Sequence, residues 1–408
     1  MDAQVLDFDE ALECVLRHAA ALAAPEWEEV ALLDSAGRVL AKGVTADRDQ
    51  PPFDRSTRDG FAVRAAELSA GELLRVAGQV RAGQIWVSAP ISPGIAIEIM
   101  TGAPVPLGAD AVVMVEHVER LEDSAIRFAA GRSLRAGDNI VPRGSEARAG
   151  QIVLSVGVSV GAAEIALAAS CGCEGLRVFR RPRVAIVATG DELVELNQVP
   201  EPQQIRNSNS YALAALVTAA GGEAVRMPIA RDRREEIAAA IGAARGCDLL
   251  VLSGGVSMGE YDLVEEVLLS LGAEFFFTGV RMQPGKPVVF GRLPATEEFP
   301  AVFFFGLPGN PISTQVTFHV FVEPLLRALG GAGVAGPDFV QATLGEDVPG
   351  KPGLTRLLPA RRAGVEVRLV GWQGSGDLAA NARANCYALL PADRESFHAG
   401  EIIRILMR

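Results

Sequence analysis

Residues Arg183–Leu193 read RVAIVATGDEL, an unbroken apolar run from Val184 to Ala188 that stops at Gly190 in front of two carboxylates. An apolar run without alternation fits a strand buried on both faces, and the glycine at its end fits a turn. The pattern then repeats. SNSYALAALVTAAGG reads as a helix, EAVRMPIA as a strand, RREEIAAAIGAA as a helix and DLLVLSGG as a strand. After the helix YDLVEEVLLSLG come AEFFFTGV, PVVFGRL and AVFFFGLPG, and then a helix NPISTQVTFHVFVEPLLRALG. Strands and helices alternating at these lengths predict a mostly parallel sheet with helices on both faces. This α/β domain is placed at 179–330, close to the usual domain size of about 150 residues.

Outward from it, LDFDEALECVLRHAAALAAP spaces Phe8, Leu12, Val15, Leu16, Ala19 and Leu22 at helical intervals, with Asp7 or Asp9 as N-cap and Pro25 beyond the end. Between Gly71 and Val141 short apolar runs are broken by Gly and Pro, which predicts a β-rich domain, and GAAEIALAASCG returns to helix. One helix before and one after give a discontinuous helical domain, 1–45 plus 145–178, with a β-rich domain inserted at 46–144. The tail, 331–408, carries short strands punctuated by Gly and Pro and fits a small β-barrel or sandwich. The whole is an α/β multidomain protein.

Composition removes several functions. A net charge of −12 over 408 residues disfavours a nucleic-acid partner, because nonspecific affinity follows the number of phosphates neutralised. No apolar run is long enough to span a bilayer, and Met1–Glu10 carries acidic residues where a secretory signal has basic ones, so a cytoplasmic location with no membrane partner is expected. Five scattered cysteines do not make a disulfide framework or a zinc ligand set. Only Lys42, Lys286 and Lys351 are lysine in a chain otherwise reliant on arginine, which singles each of them out.

Ligands of open parallel sheets bind beyond the carboxyl ends of the strands. The loops there are ATGDEL, with Asp191 and Glu192; SGGVSMGEYD, with Ser253, Gly254, Gly255, Ser257 and Asp262; QPGKP, with Gly285 and Lys286; and GLPGNPIS, with Pro308, Gly309 and Asn310 at a helix start. Taken singly these are turns and caps, and Asp232 is equally readable as an N-cap. Jointly they predict a pocket for a phosphorylated ligand, with Lys286 as a point charge for phosphate or another oxyanion. The carboxylates Asp59, Glu192, Asp232 and Asp262, with a phosphate, would suit Mg²⁺. Asp59 stands in PPFDRSTRDGFAV, Pro51–Val63, a turn opened by two prolines and closed by Gly60. It reads either as a functional carboxylate or as an Asx-turn residue bonding local amides.

The ordered set DRSTRDGFAV, TGAPVPLGADAVVMVE, GDNIVPRG, ATGDEL, SGGVSMGEYD, QPGKPVVFG, GLPGNP and QGSGDL…ANC, spread over nearly the whole chain, resembles the molybdopterin molybdenumtransferases, the MoeA and gephyrin E-domain family. The resemblance implies four domains: a discontinuous helical one, an inserted β domain, an α/β molybdopterin-binding domain and a C-terminal β-barrel. It implies a homodimer with a cleft shared between subunits, and a reaction in which adenylylated molybdopterin loses AMP with a divalent cation, here Mg²⁺, as molybdate enters the dithiolene to form molybdenum cofactor. By the same resemblance Asp59, Asp262 and Lys286 are catalytic, Asp59, Asp262 and Glu192 hold the metal, and Thr101, Glu192, Asp232 and Arg361 line the pocket. Other proteins of molybdenum cofactor biosynthesis would be partners. The chain departs from the family pattern in carrying Arg55 and Arg58 beside Asp59, which would favour its ionised form or neutralise it, Glu146 where Asp is usual, Gln283 in place of a second pocket lysine, and Ala379 and Ala380 in place of a serine pair. Those departures leave open a weakened paralogue that binds molybdopterin or a partner protein, and a variant insertase for tungstate.

Overall fold

A computed structural model of the chain describes residues 5–69, 71–255 and 263–408, apart from the side chain of Asp123. Helix α1 (Phe8–Ala20) starts at the N-cap Asp7, whose N–H donates to the Glu10 carboxylate at 3.0 Å. Acidic residues fill its first turn and Arg17 and His18 its last, which suits the helix dipole. Its buried stripe of Phe8, Ala11, Cys14, Val15 and Ala19 enters one core cluster with Val184, Ile186, Leu325 and Phe321, and the Phe8 and Phe321 rings lie 6.2 Å apart. Helix α1 therefore packs on the α/β layer, which corrects the grouping of all of residues 1–45 with the helical domain. Helical spacing reveals which face is apolar and not which surface it will cover.

The remaining discontinuous unit is small. Trp27–Ala31 pairs antiparallel with Gly175–Phe179, Val44–Thr45 pairs with Ile152–Leu154, and helix α2 (Ala162–Ser170) closes over a core of Leu40, Val44, Leu154, Ala168 and Val178. Between its two halves lies a six-stranded sheet in which Gly60–Val63 runs between Ile95–Ile99 and Ala111–Met114. All four residues of Gly60–Val63 are buried, Phe61 and Val63 in a cluster on one face and Ala62 in a cluster on the other. The strand is thus anchored on both sides, and Asp59 immediately precedes it.

The α/β domain has the six-stranded order Glu223–Arg226, Arg183–Ala188, Leu249–Ser253, Val302–Leu307, Val289–Leu293, Glu274–Phe277. The first four strands are parallel, Val289–Leu293 runs antiparallel to them, and Glu274–Phe277, antiparallel to that strand, runs in the direction of the first four, in keeping with a mostly parallel sheet. Val184, Ile186, Val251 and Phe305 face a core shared with α1, α3 (Asn209–Ala219) and the last helices of the domain. Ala185, Val187, Leu252 and Phe304 face a second core shared with α4 (Arg234–Ala244) and α5 (Leu263–Ser270). The long helix read from NPISTQVTFHVFVEPLLRALG is interrupted: α6 (Pro311–Thr317) passes through a π turn, Phe318–Val322, into α7 (Glu323–Leu329). Pro324 has no N–H to give to the α-helical ladder, and a wider turn ahead of it is a low-cost accommodation.

The last domain closes. Thr355–Ala363, Glu366–Leu369, Phe339–Leu344, Ile402–Met407 and Cys386–Leu390 pair in sequence, and Cys386–Leu390 returns to Thr355–Ala363, giving a five-stranded barrel. Its residues Leu357, Tyr387, Leu389 and Leu406 join the α/β core. Helix α8 (Leu378–Arg383) is capped by Asp377, whose Oδ1 accepts from the Ala380 N–H at 2.9 Å. Among the described residues no helix is long and apolar enough to cross a membrane.

Candidate functional site

The four parallel strands end side by side, and their loops interlock. The Thr189 N–H donates to Ser253 O at 3.0 Å, Gly190 N–H to Ala230 O at 3.2 Å, and Gly254 N–H to Leu307 O at 3.2 Å. Asp191 and Asp232 bond reciprocally: Asp191 N–H meets Asp232 Oδ2 at 3.3 Å, and Asp232 N–H meets Asp191 Oδ1 at 3.4 Å. Asp232 is thus tied to the ATGDEL loop, and the N-cap position of α4 belongs to Arg233. Glu192 stands exposed beside this pair.

Ser253, Gly254 and Gly255 follow the next strand. Gly254 has φ +95°, and a Cβ there would lie 2.5 Å from Thr189 O, so only glycine fits. Gly309 packs against it, with Asn310 as N-cap and Pro311 as first residue of α6. The register Val289↔Gly306 carries the antiparallel strand's start, and so Gly285 and Lys286, to this same edge. Gly285 is pressed on Thr317, while Lys286 is exposed and its ammonium has no partner among the described residues. The expected Glu192, Asp232, Ser253, Gly254, Gly255, Gly285, Lys286, Pro308, Gly309 and Asn310 therefore share one sheet edge. Ser257 and Asp262 lie outside the described residues.

The barrel borders the edge at two points: Gln283 pairs with Arg356, and the Ile312 N–H donates to Ser375 O at 2.9 Å. Arg361 sits on the barrel strand that starts there, exposed, with Nη1 donating to Arg383 O at 3.3 Å. Among the described residues no hydrogen bond or ion pair joins it to the α/β loops.

Asp59 and Thr101 meet on the inserted domain. Asp59 Oδ1 accepts from the Thr101 N–H at 2.6 Å and from Thr101 Oγ1 at 2.8 Å. The carboxylate is thus held from a loop 42 residues away, while the local turn bond is made by Ser56 Oγ, which donates to Arg58 O at 2.7 Å. The Thr101 N–H, then its hydroxyl, hold the Asp59 carboxyl below its ordinary value of 3.8 against a small opposing effect of desolvation. Arginine does not do this: Arg55 pairs with Glu146 at 2.9 Å, and Arg58 points an unpaired guanidinium to solvent among the described residues. Nothing among the described hydrogen bonds and ion pairs links the Asp59 turn to the α/β loops of the same chain.

Two expected results follow from this geometry. Thr101→Val keeps the N–H bond and loses the hydroxyl bond, so the Asp59 pKa rises toward its unfolded value. A lowered folded-state pKa favours the native state above the unfolded pKa, and that advantage disappears as pH falls through the folded one. If Asp59 ionisation sets the acid limb of turnover, Thr101→Val moves that limb to higher pH, and an unshifted limb would remove the hydroxyl from the account. Glu146→Gln is expected to change stability by no more than about 1 kcal/mol, since the Arg55 pair is exposed and screened. Equal turnover in that variant, measured beside thermal melting, would keep Arg55 out of the chemistry.

Asn209 and Thr189 escaped the sequence reading. Asn209 Nδ2 donates to Gly309 O at 2.7 Å and to Ser253 Oγ at 3.1 Å, and Thr189 Oγ1 is buried with no partner. The polar SNSY at a helix start was the available signal. For a metal, no group of three or more His, Cys, Asp and Glu converges among the described residues. Glu192, Asp191 and Asp232 offer exposed carboxylates at the edge, which fits a Mg²⁺ held by one or two carboxylates and completed by substrate phosphate.

A sheet with interlocked glycine-rich loops at its carboxyl edge, flanked by a barrel and an inserted β domain, defines a multidomain α/β enzyme for an anionic ligand. The comparisons with known proteins name it more closely. Residues 6–172 match the MoeA N-terminal region (domain I and II), 185–328 a "Probable molybdopterin binding domain", and 341–407 the MoeA C-terminal region (domain IV). The molybdopterin molybdenumtransferase of Nostoc is 36% identical over 93% of this chain and 88% of its own length, and that of Staphylococcus epidermidis 34% identical over 92% and 89%. Two structures of the Pyrococcus horikoshii MoeA protein superpose over 99% of this chain with TM-scores of 0.80 and 0.76, at 28% and 32% identity, covering 100% and 99% of theirs. The chain belongs to the MoeA family of molybdopterin molybdenumtransferases.

Proposed function

We propose that the protein acts in molybdenum cofactor biosynthesis as a molybdopterin molybdenumtransferase, inserting molybdate into adenylylated molybdopterin with release of AMP. The observation that carries this reading is the convergence of four glycine-rich loops, two carboxylate-bearing segments and Lys286 on one sheet edge, in a chain that matches the family from end to end. Backbone amides and hydroxyls around Ser253–Gly255 and Pro308–Asn310 receive phosphate oxygens. Lys286 offsets negative charge as it builds on the departing AMP. Glu192 and Asp232 would hold a Mg²⁺, which would supply positive charge to the phosphoryl oxygens.

No described hydrogen bond or ion pair ties Asp59 to these loops within one chain, and the proposal includes a homodimer in which Asp59 and Thr101 of one copy face the α/β edge and Arg361 of the other. Ionised and exposed, Asp59 can orient water or molybdate at the bond being broken. A cytoplasmic location, and delivery of the substrate by other molybdenum cofactor biosynthesis proteins, belong to the same proposal.

One observation favours a second reading. Gln283 is uncharged, and Ala379 and Ala380 offer no hydroxyls, so fewer charged or hydroxyl groups are available to an oxyanion than in the family pattern. That composition suits a binding paralogue or an insertase for tungstate. AMP release from adenylylated molybdopterin by the purified protein with Mg²⁺, alone, with molybdate and with tungstate, separates the three. Stimulation by molybdate supports the main reading, stimulation by tungstate alone the variant, and tight binding without AMP the paralogue.

A further inference from the structure

Asn209 opens α3 between two of the site's loops and sends one side-chain nitrogen to both, 2.7 Å from Gly309 O and 3.1 Å from Ser253 Oγ. A carbonyl oxygen only accepts, so the atom facing Gly309 is the amide nitrogen, and the orientation of the amide is fixed by chemistry. Ser253 Oγ therefore accepts a hydrogen from Asn209 and retains its own hydroxyl hydrogen for donation. No described residue accepts that hydrogen, although Ser253 is only 2% exposed. A second hydroxyl is in the same position: Thr189, also 2% exposed, has an Oγ1 without partner. That oxygen lies 2.8 Å from where a Cβ on Gly255 would stand and 3.3 Å from the corresponding point on Gly254. Buried hydroxyls in folded proteins are ordinarily bonded, and two donors without an acceptor among the described residues, beside a pair of left-handed glycines, mark a place for acceptor oxygens of a ligand.

We propose that Asn209 is a positioning residue of the transferase site: it sets the Ser253 hydroxyl as a hydrogen-bond donor to a phosphate oxygen of the adenylylated substrate while pinning the Pro308–Asn310 loop beside it. The proposal rests on the reading of this edge as the substrate pocket. Acceptance from Asn209 also polarises the Ser253 O–H and strengthens its donation to an anion. In Asn209→Asp the donor becomes an acceptor, which draws the Ser253 hydrogen to itself and presents a lone pair to the phosphate.

The test is a double-mutant cycle on the full-length chain, with dissociation constants for adenylylated molybdopterin and, as a phosphate-free pterin, neopterin. Ser253→Ala and Asn209→Ala are each expected to weaken binding of the adenylylated substrate by about 10-fold, and Asn209→Asp by more. The double variant Asn209→Ala/Ser253→Ala is expected to bind about as well as either single one, and neopterin binding to stay within about twofold throughout. Thermal melting of Asn209→Ala and Ser253→Ala guards against misfolding, and the cycle does not need the Asp variant to fold. Additive losses, or equal losses for neopterin, would reduce Asn209 to a structural brace and overturn the proposal. A wild-type chain that fails to bind the adenylylated substrate overturns the pocket reading and this inference together, whereas wild-type binding with additive losses overturns the inference alone.

Discussion

Asp59→Ala is expected to cut molybdate-stimulated AMP release by about 100-fold or more while leaving the fold intact. The side chain is exposed, and its hydrogen-bond partners among the described residues are the N–H and hydroxyl of Thr101. Those two donors stabilise the charged form, so at neutral pH Asp59 is a fixed negative charge on the rim of its domain. A charge held this way, with Arg55 diverted to Glu146, is available to a ligand and is not spent on an internal salt bridge. Asp59→Asn separates charge from placement, because the amide oxygen can still accept from Thr101. Loss in both variants assigns the work to the charge. Retention in Asn with loss in Ala assigns it to hydrogen bonding, and near-normal AMP release from Asp59→Ala would remove Asp59 from the reaction. Mixed dimers carrying Asp59→Ala in one copy and Lys286→Ala in the other should recover close to half of wild-type turnover if the cleft is shared, and next to none if each chain works alone.

The sheet edge was legible in the sequence because its determinants are local. An apolar run such as Val184–Ala188 has one economical conformation, a glycine such as Gly254 reports a backbone that no other residue can follow, and Pro311 after Asn310 marks a helix start. Partners distant in the chain were not legible. The stripe on α1 was visible, yet nothing in its spacing said that it covers Phe321 of the α/β layer. Arg55 and Arg58 looked like counter-ions for Asp59 because they are its neighbours in sequence, whereas the structure gives Arg55 to Glu146 and Asp59 to Thr101. The resemblance supplied both Asp59 and Thr101 without the bond between them. Asn209 carried no family label and a residue type common at helix starts, so only its two bonds distinguish it. The π turn at Phe318–Val322 was hidden because an apolar helix buried on all sides has no phase to lose.

Gly60→Ala is the second large effect, and it falls on stability. Gly60 lies in the second strand of the six-stranded inserted sheet, buried, paired with Met114 of the edge strand on one side and Ile99 on the other. A Cβ at this position would stand 1.9 Å from Val113 O, 2.9 Å from Val113 C and 3.0 Å from Met114 Cα. All three are backbone atoms of the adjacent strand, so no side-chain rotamer can relieve the overlap. The strands must part, which strains the Gly60–Met114 pairing and the bond from Val115 N–H to Asp59 O at 3.1 Å. Overpacking a well-filled core costs about 1–3 kcal/mol, and a clash against backbone belongs at or above the upper end. A fall of about 3 kcal/mol or more in the unfolding free energy of the inserted domain is expected, read from urea titration or thermal melting. Turnover should fall with it, because Asp59 is the next residue and shares the displaced backbone. The adjacent pair thus separates chemistry from scaffold: position 59 should change rate with the inserted sheet still closed, and position 60 should change the rate by opening that sheet. An unchanged melt in Gly60→Ala would mean that the strands around Asp59 are spaced more widely than the structure has them, and the tight support assigned to the Asp59 turn would fall with that result.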